Sequence, residues 1–350
     1  MTDKKFCMSS FLMYRRITDL NKSFYSNVYP FTAITNFPRR PITNSEELYH
    51  FLDQRVREAT KDGKAALALS GGIDSAILAK FMPKGSTAYT FKCIVPGVEV
   101  TDESKDAAIY AQECSLNHKV IEIYWEDMEK YAPLLMKHKG APIHSIEVQI
   151  YKAALQAKYD GFEKMIFGES ADCVYGGLSN ILSKEWLIGD FIERYAYIMP
   201  YKVLKNPQLV LEPIKRHEKD GYIDPHEFMS TEFFPESISS YINAMNTANM
   251  ETVIPYAETY LNVPIDYSRI RQGENKYLVR EVFQKLYRNY EVPPKTPMPR
   301  PTNEWFKNWS GPIRSEFYPH CTDTMSGDQK WLVWALEKFL NMYEPNKSLL

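Results

Sequence analysis

The stretch Leu67-Ala68-Leu69-Ser70-Gly71-Gly72-Ile73-Asp74-Ser75-Ala76-Ile77-Leu78-Ala79-Lys80 restricts what this chain can fold into more than any other. Ala65 to Leu69 form a short apolar run suited to a strand covered on both faces. Ser70, Gly71 and Gly72 then allow a tight turn free of Cβ obstruction, and a helix is expected from about Asp74. The unpaired N–H groups of that helix, its dipole and the hydroxyls of Ser70 and Ser75 converge on one point, which is what an anion requires. The stretch therefore reads as a phosphate cradle. It is not a Walker A loop, because no Gly-Lys-Ser/Thr follows the turn. Asp74 puts negative charge where a phosphate would repel it, and a bound divalent cation, inferred to be Mg²⁺, removes that conflict.

The chain around this loop alternates between strand and helix. Thr43 with Glu46 makes a capping box for a helix whose Leu48, Phe51, Leu52 and Val56 share one face. Strands are expected at Ala88 to Val95, Lys119 to Tyr124 and Glu163 to Gly168, and helices at Thr101 to Cys114 and Ile146 to Lys158. This pattern implies an α/β fold, a doubly wound parallel sheet with helices on both faces and its active edge at the carboxyl ends of the strands. Residues 1–42 read as an N-terminal extension with no catalytic role, within which Phe11 to Ile17 has the character of a strand. Residues 43–350 form the main unit, with a sheet core over 60–177 and a mostly helical, proline-interrupted cover over 178–350. A capping box at Ser326 and Gln329 starts a last helix whose Trp331, Trp334 and Phe339 make an apolar stripe, for core packing or a homodimer contact.

Composition narrows the partners. Hydrophobic residues at 44%, charged residues at 25% and a net charge of -2 leave no electrostatic footprint for nucleic acid. Five scattered cysteines form no metal-type pair, so reduced thiols and a cytoplasmic setting are expected. No apolar run is long enough to span a bilayer, and Thr2-Asp3-Lys4-Lys5 lacks the apolar core of a signal peptide, so no membrane partner is expected.

Ser-Gly-Gly-x-Asp-Ser after a strand resembles the pyrophosphate loop of ATP pyrophosphatases, which implies ATP as cofactor and AMP left on the substrate. A second stretch makes the resemblance more specific. Gly168-Glu169-Ser170-Ala171-Asp172-Cys173-Val174-Tyr175-Gly176-Gly177 is similar to the Gly-Glu-x-x-Asp-Glu signature, closed by Gly-Gly, of the asparagine synthetase family and its β-lactam synthetase relatives. Other pieces follow in the family's order: Asp102-Glu103-Ser104, then His118, then Met250-Glu251 with Pro255-Tyr256. Lys276-Tyr277-Leu278-Val279-Arg280 resembles the family's Lys-x-x-Leu-Arg helix, and Lys295 its mobile catalytic-lysine loop.

Candidate roles follow from residue chemistry and from this resemblance together. Ser70, Gly71, Gly72, Asp74, Ser75 and Gly168 are expected to hold the nucleotide. Asp74 and Asp172, at the ends of two parallel strands, are the expected Mg²⁺ ligands, with a helix cap as the other reading of Asp172. Lys276 and Arg280, four apart, would hold pyrophosphate or orient Glu251, or form a solvated face. Lys295 would stabilise charge developing at the α-phosphate, or else is an ordinary loop lysine. Glu169 is the expected base for an attacking amine, with a carboxyl shifted towards neutrality, and Glu251 is its reserve. His118 and His144 read as structural.

Three departures from the family separate this chain from asparagine synthetases. Thr2 stands where their glutaminase domain has its cysteine, and too few residues precede the loop to build that domain. Cys173 replaces the second acid of the signature, and Val253 replaces an arginine, so a pocket other than the aspartate pocket is implied. The expected function is an ATP-dependent synthetase that adenylates a carboxylate or amide oxygen of a small molecule. The nitrogen would come from free ammonia, a separate glutaminase or an amine of the substrate. The alternatives are sulfur insertion through a persulfide on Cys173 or Cys114, and an inactive nucleotide-binding scaffold.

Overall fold

The computed structural model describes residues 1–31, 38–293 and 298–345. Its central sheet is made of β1 (Ala65–Ala68), β2 (Thr87–Cys93), β3 (Asn117–Ile123), β4 (Lys164–Ile166) and β5 (Glu251–Val253), all parallel, in the order β3-β2-β1-β4-β5. The chain leaves β1 in one direction, through β2 to β3, then crosses back to β4 on the other side of β1. Right-handed crossovers place the helices of the outward and return journeys on opposite faces, so the sheet is doubly wound, as expected. The strand order reverses between β1 and β4, and the crevice at their carboxyl ends is the switch point where such sheets bind ligands.

On the way from β1 to β3 the chain forms α3 (Ile73–Phe81) and α4 (Ser104–Glu113), with α2 (Ser45–Thr60) packed on α3. Between β3 and β4 lie α5 (Trp125–Lys139), which has no counterpart in the sequence reading, and α6 (Ile146–Tyr159). β1 is buried at all four residues, Ala65 to Ala68, which explains its unbroken apolar run. α2 buries Leu48, Leu52 and Val56, but its cap sits one residue later than the expected Thr43 and Glu46. Asn44 accepts the Glu47 N–H at 2.9 Å, while Glu47 reaches back to the Thr43 N–H at 2.8 Å.

Two regions depart from expectation. Phe11 to Ile17 is not a strand: α1 (Lys4–Tyr14) runs through it, capped by the Asp3 carboxylate, which accepts the Phe6 N–H at 3.1 Å. Every residue from Phe6 to Tyr14 is buried, so no polar face marks a helical period, and an apolar run of that length leaves strand and helix undistinguished. The sheet also extends past residue 177, because β5 is supplied by 251–253 from within the expected helical cover. Three residues docking on one edge are too few to show a strand period in sequence.

A short helix, α7 (Ala171–Tyr175), closes the sheet core, and the rest of the cover is largely helical, including α8 (Phe234–Thr247), α9 (Tyr277–Leu286) and α10 (Gly327–Tyr343). α10 has the Ser326 and Gln329 capping box and packs on α1 and α5, with Trp331 and Phe339 buried and Trp334 half-buried. Its apolar stripe therefore lies within the core of this chain. None of the described helices is long and apolar enough to cross a membrane.

Candidate active site at the switch point

The turn after β1 is tied by its own side chains. The Ser70 and Ser75 hydroxyls lie 2.9 Å apart, the Ser70 N–H donates to Ser75 Oγ at 3.0 Å, and the Gly72 N–H donates to Ser70 Oγ at 3.2 Å. This fixes the start of α3 at the crevice, with Gly72 at its cap and Asp74 in its first turn. Gly168 closes the crevice from the β4 side. A methyl there would come within 2.8 Å of the Ser75 N and 3.0 Å of the Asp74 carbonyl carbon, so only glycine lets β4 approach the loop this closely.

Asp74 and Asp172 are brought together, as their strand-end positions imply. Both grip one cation: Lys276 Nζ lies 2.6 and 2.9 Å from the Asp74 carboxylate oxygens and 3.0 Å from Asp172 Oδ1. Lys276 is buried at the cap of α9 with φ 53°, a conformation that turns its side chain back into the crevice. Burial alone would lower the pKa of its ammonium, but the charges of Asp172 and Asp74 outweigh that and hold it above the ordinary lysine value. A methyl on Gly177 would overlap the Asp172 carboxylate and lie 2.7 Å from Lys276 Cδ, so the Gly-Gly end of the motif leaves room for this pair. The two carboxylates thus address one cation position, which the Lys276 ammonium fills. Hard oxygen donors of this kind suit Mg²⁺. Among the described residues no three His, Cys, Asp or Glu side chains form a metal cage, so further ligands would have to come from phosphate and water.

The surrounding pocket has a volume of about 330 Å³ and includes Phe91, Glu103, Glu169, Tyr241 and Arg280 in its walls. Arg280 is anchored to Asn275, donating to its backbone carbonyl at 2.7 Å and its side-chain oxygen at 2.5 Å. Glu169 accepts a hydrogen bond from the Ser237 hydroxyl, and Tyr241, four residues on along α8, faces the same carboxylate, whose charge adds to burial in raising the pKa of its hydroxyl. On the opposite wall, Glu103 stands at the cap of α4 beside Asp102 and Asp106, and Lys92 pairs with Asp102 at 3.2 Å. Burial, followed by the charges of Asp106 and Asp102, pushes the Glu103 carboxyl up to about 7.

Glu251 does not reach this site. It opens β5, paired with Lys164 at the amino end of the sheet, and lines a separate hollow with Arg55 and Glu258. Lys276 and Arg280 therefore do not orient it. A parallel strand has only one end at the active edge, and it is Tyr256, five residues on, whose hydroxyl reaches the site by donating to the Asp74 carbonyl at 3.1 Å. Lys295 lies outside the described residues.

Neither candidate thiol lines the pocket. Cys173 is buried and donates to the Ser170 carbonyl at 3.2 Å, and burial with the charges of Glu169 and Asp172 raises its pKa well above the thiol range. Cys114 is buried against the Tyr287 hydroxyl at 3.3 Å. His118 bonds Thr90 at 2.7 Å and His144 bonds Arg15 at 2.7 Å, and burial lowers the pKa of each, consistent with structural roles.

Sequence reasoning missed Ser237, Tyr241 and a role for Glu103. The first two are four apart on one helix, the only signal they give. Glu103 stood in a motif already singled out, but its burial, followed by the charges of Asp106 and Asp102, is what raises its proton affinity.

A parallel sheet in this order, with a phosphate-type loop and paired acids at its switch point, defines an α/β fold of the ATP-pyrophosphatase type. The family model for asparagine synthase matches residues 47–247, more than half of the sequence, and the chain belongs to that family. It is 29% identical over 103 residues to the NH3-dependent NAD+ synthetase of Carboxydothermus hydrogenoformans, a match covering 29% of this chain and 40% of the relative. The chain thus spans well under two thirds of that relative's length. Among solved structures, it is similar to an NH3-dependent NAD synthetase from Campylobacter jejuni at 17% identity and a TM-score of 0.25, covering 39% of this chain and 61% of that one. It is also similar to an NMN synthetase from Francisella tularensis at 13% identity and a TM-score of 0.27, covering 73% and 100%.

Proposed function

We propose that this chain is an ATP-dependent synthetase that adenylates a carboxylate or amide oxygen of a small molecule and then forms an amide-type C–N bond. The observation that carries the reading is the convergence of Asp74 and Asp172 on one cation position beside the Ser70 to Ser75 loop. An acceptor oxygen attacks the α-phosphorus of ATP, the bond to the β-phosphate oxygen breaks, and pyrophosphate leaves. Ammonia or an amine then attacks the activated carbon, loses a proton and expels AMP.

The chain's own groups divide this work. N–H groups at the start of α3 bind phosphate oxygens, and Lys276 and Arg280 supply positive charge beside them. Mg²⁺ held by Asp74 and Asp172 would neutralise phosphate charge as the leaving pyrophosphate forms. Glu169, held by Ser237 beside Tyr241, faces the acceptor end and takes the proton of the attacking nitrogen. Lys295 is assigned from sequence alone to the charge developing at the α-phosphate. The nitrogen donor is free ammonia, a separate glutaminase or an amine of the acceptor. The buried thiols of Cys173 and Cys114 count against sulfur insertion, which needs an accessible thiolate.

Purified protein with ATP, Mg²⁺, ammonia and a panel of small carboxylates and amides tests this reading. AMP and pyrophosphate are the expected products for at least one acceptor, and ADP with inorganic phosphate as the primary products would overturn it.

A further inference from the structure

The group that faces the acceptor, Glu169, is held by one helix. Ser237 donates to its carboxylate and Tyr241, four residues on along α8, faces it from the same pocket wall, so the rotation of α8 about its axis decides where that carboxylate points. That rotation is not set by regular helix alone. Met229–Phe233, directly before α8, is a π-helical turn, whose wider winding shifts the phase of everything that follows it.

Two consecutive arginines clamp this junction. Arg16 Nη2 lies 2.6 Å from Glu232, inside the π turn, and Arg216 holds the other oxygen of that carboxylate at 3.1 Å. Arg15 Nη2 lies 3.0 Å from Glu236, in the first turn of α8 and next to Ser237. Neighbouring side chains reach acids four apart because Arg15 ends α1 in the left-handed region, with φ 55°. The Arg15 guanidinium is itself fixed, bonded to His144 at 2.7 Å and stacked 4.0 Å above the Tyr197 ring. The end of α1 is stitched down beside it, with Tyr197 and Ile198 N–H groups donating to the Met13 and Leu12 carbonyls at 3.2 and 3.0 Å. Glu232 and Glu236 are both buried, as is the Arg16 side chain.

We propose that Arg15 and Arg16 are positioning residues, clamping Glu236 and Glu232 across the π-to-α junction so that Ser237 and Tyr241 hold Glu169 towards the acceptor. The segment before residue 43 then contributes to the site without touching it. This rests on the assignment of Glu169 to the acceptor end.

The test uses the full chain labelled with 3-fluorotyrosine, with the ¹⁹F resonance of position 241 assigned by its loss in Tyr241→Phe. Arg15→Met should move that resonance in the direction produced by Glu169→Gln. On an acceptor that supports pyrophosphate release it should lower kcat about tenfold to a hundredfold, with KM for Mg-ATP within about twofold. Arg15→Lys, which keeps the charge, should recover part of both. A folded Arg15→Met protein with the resonance in place overturns the proposal. Should Arg15→Met fail to fold, Arg15→Met with Glu236→Met removes both buried charges together, and an unmoved resonance there overturns it equally. If no acceptor releases pyrophosphate, the proposed function fails, and the resonance alone still decides the positioning role.

Discussion

The phosphate end and the acceptor end proposed for this pocket are assembled in different ways. At the phosphate end, Ser70, Gly72, Asp74 and Ser75 come from one turn, and Asp172 joins them from the next strand of the sheet. At the proposed acceptor end, Glu169 is faced by hydroxyls 68 and 72 positions away, on a helix whose start is paired with two arginines near the beginning of the sequence. The first arrangement is nearly dictated by local backbone, because a helix start after a tight turn offers its N–H groups whatever surrounds it. The second exists only once distant helices have packed.

The largest expected effect lies at the phosphate end. Asp172→Asn leaves Lys276 paired with Asp74 but removes half of the cation position, and Mg²⁺-dependent pyrophosphate release should fall about 1000-fold. Titrating Mg²⁺ against initial rate checks it. A wild-type response at limiting Mg²⁺ would show that Asp172 serves only to hold Lys276.

A smaller and different loss is expected at the acceptor end. Glu169→Gln should still form the adenylate in a single turnover, while the step that consumes it slows about 100-fold. Rapid quench separating acyl-adenylate or AMP from final product reads the two steps apart. Equal loss of both would mean that Glu169 belongs to phosphate binding, and the contrast between the two ends would collapse.

What could be read from sequence follows the same division. β1, its turn and α3 were legible because apolar run, glycines and hydroxyls are contiguous, and Gly168 with Asp172 because they repeat a strand-to-turn pattern at the same edge. Lys276 was identified as a phosphate-end cation, yet its grip on both acids follows from a left-handed cap that composition does not announce. Glu251 was placed at the site because motif order says nothing about which end of a three-residue strand a side chain occupies. The acceptor end gave the carboxylate but not its holders. Ser237 and Tyr241 have the spacing of any helical pair, and the phase that makes them useful is proposed to come from a π turn and from arginines that follow a helix first read as a strand.

The smallest effect concerns the acidic turn that packs on the phosphate loop, where a methyl on Gly71 would lie 2.9 Å from Asp106 Cβ. Glu103 is half-buried there, with Asp106 and Asp102 beside it and Lys92 engaged by Asp102. Its carboxyl titrates at about 7 when folded, against an ordinary value of 4.5. Between those values the folded protein binds more protons at this position than the unfolded chain, so the stability it contributes is whole below about 4.5 and is lost as pH rises through about 7. Glu103→Gln keeps the hydrogen-bonding shape without the charge and should flatten that part of the profile. Thermal midpoints of wild type and variant, compared between pH 5 and pH 8, should converge at the low end and separate by about 2 °C at the high end, with the variant the more stable. Coincident profiles would mean that the turn opens enough to hydrate Glu103. The phosphate end would then be looser on its α4 side than on the side closed by Gly168.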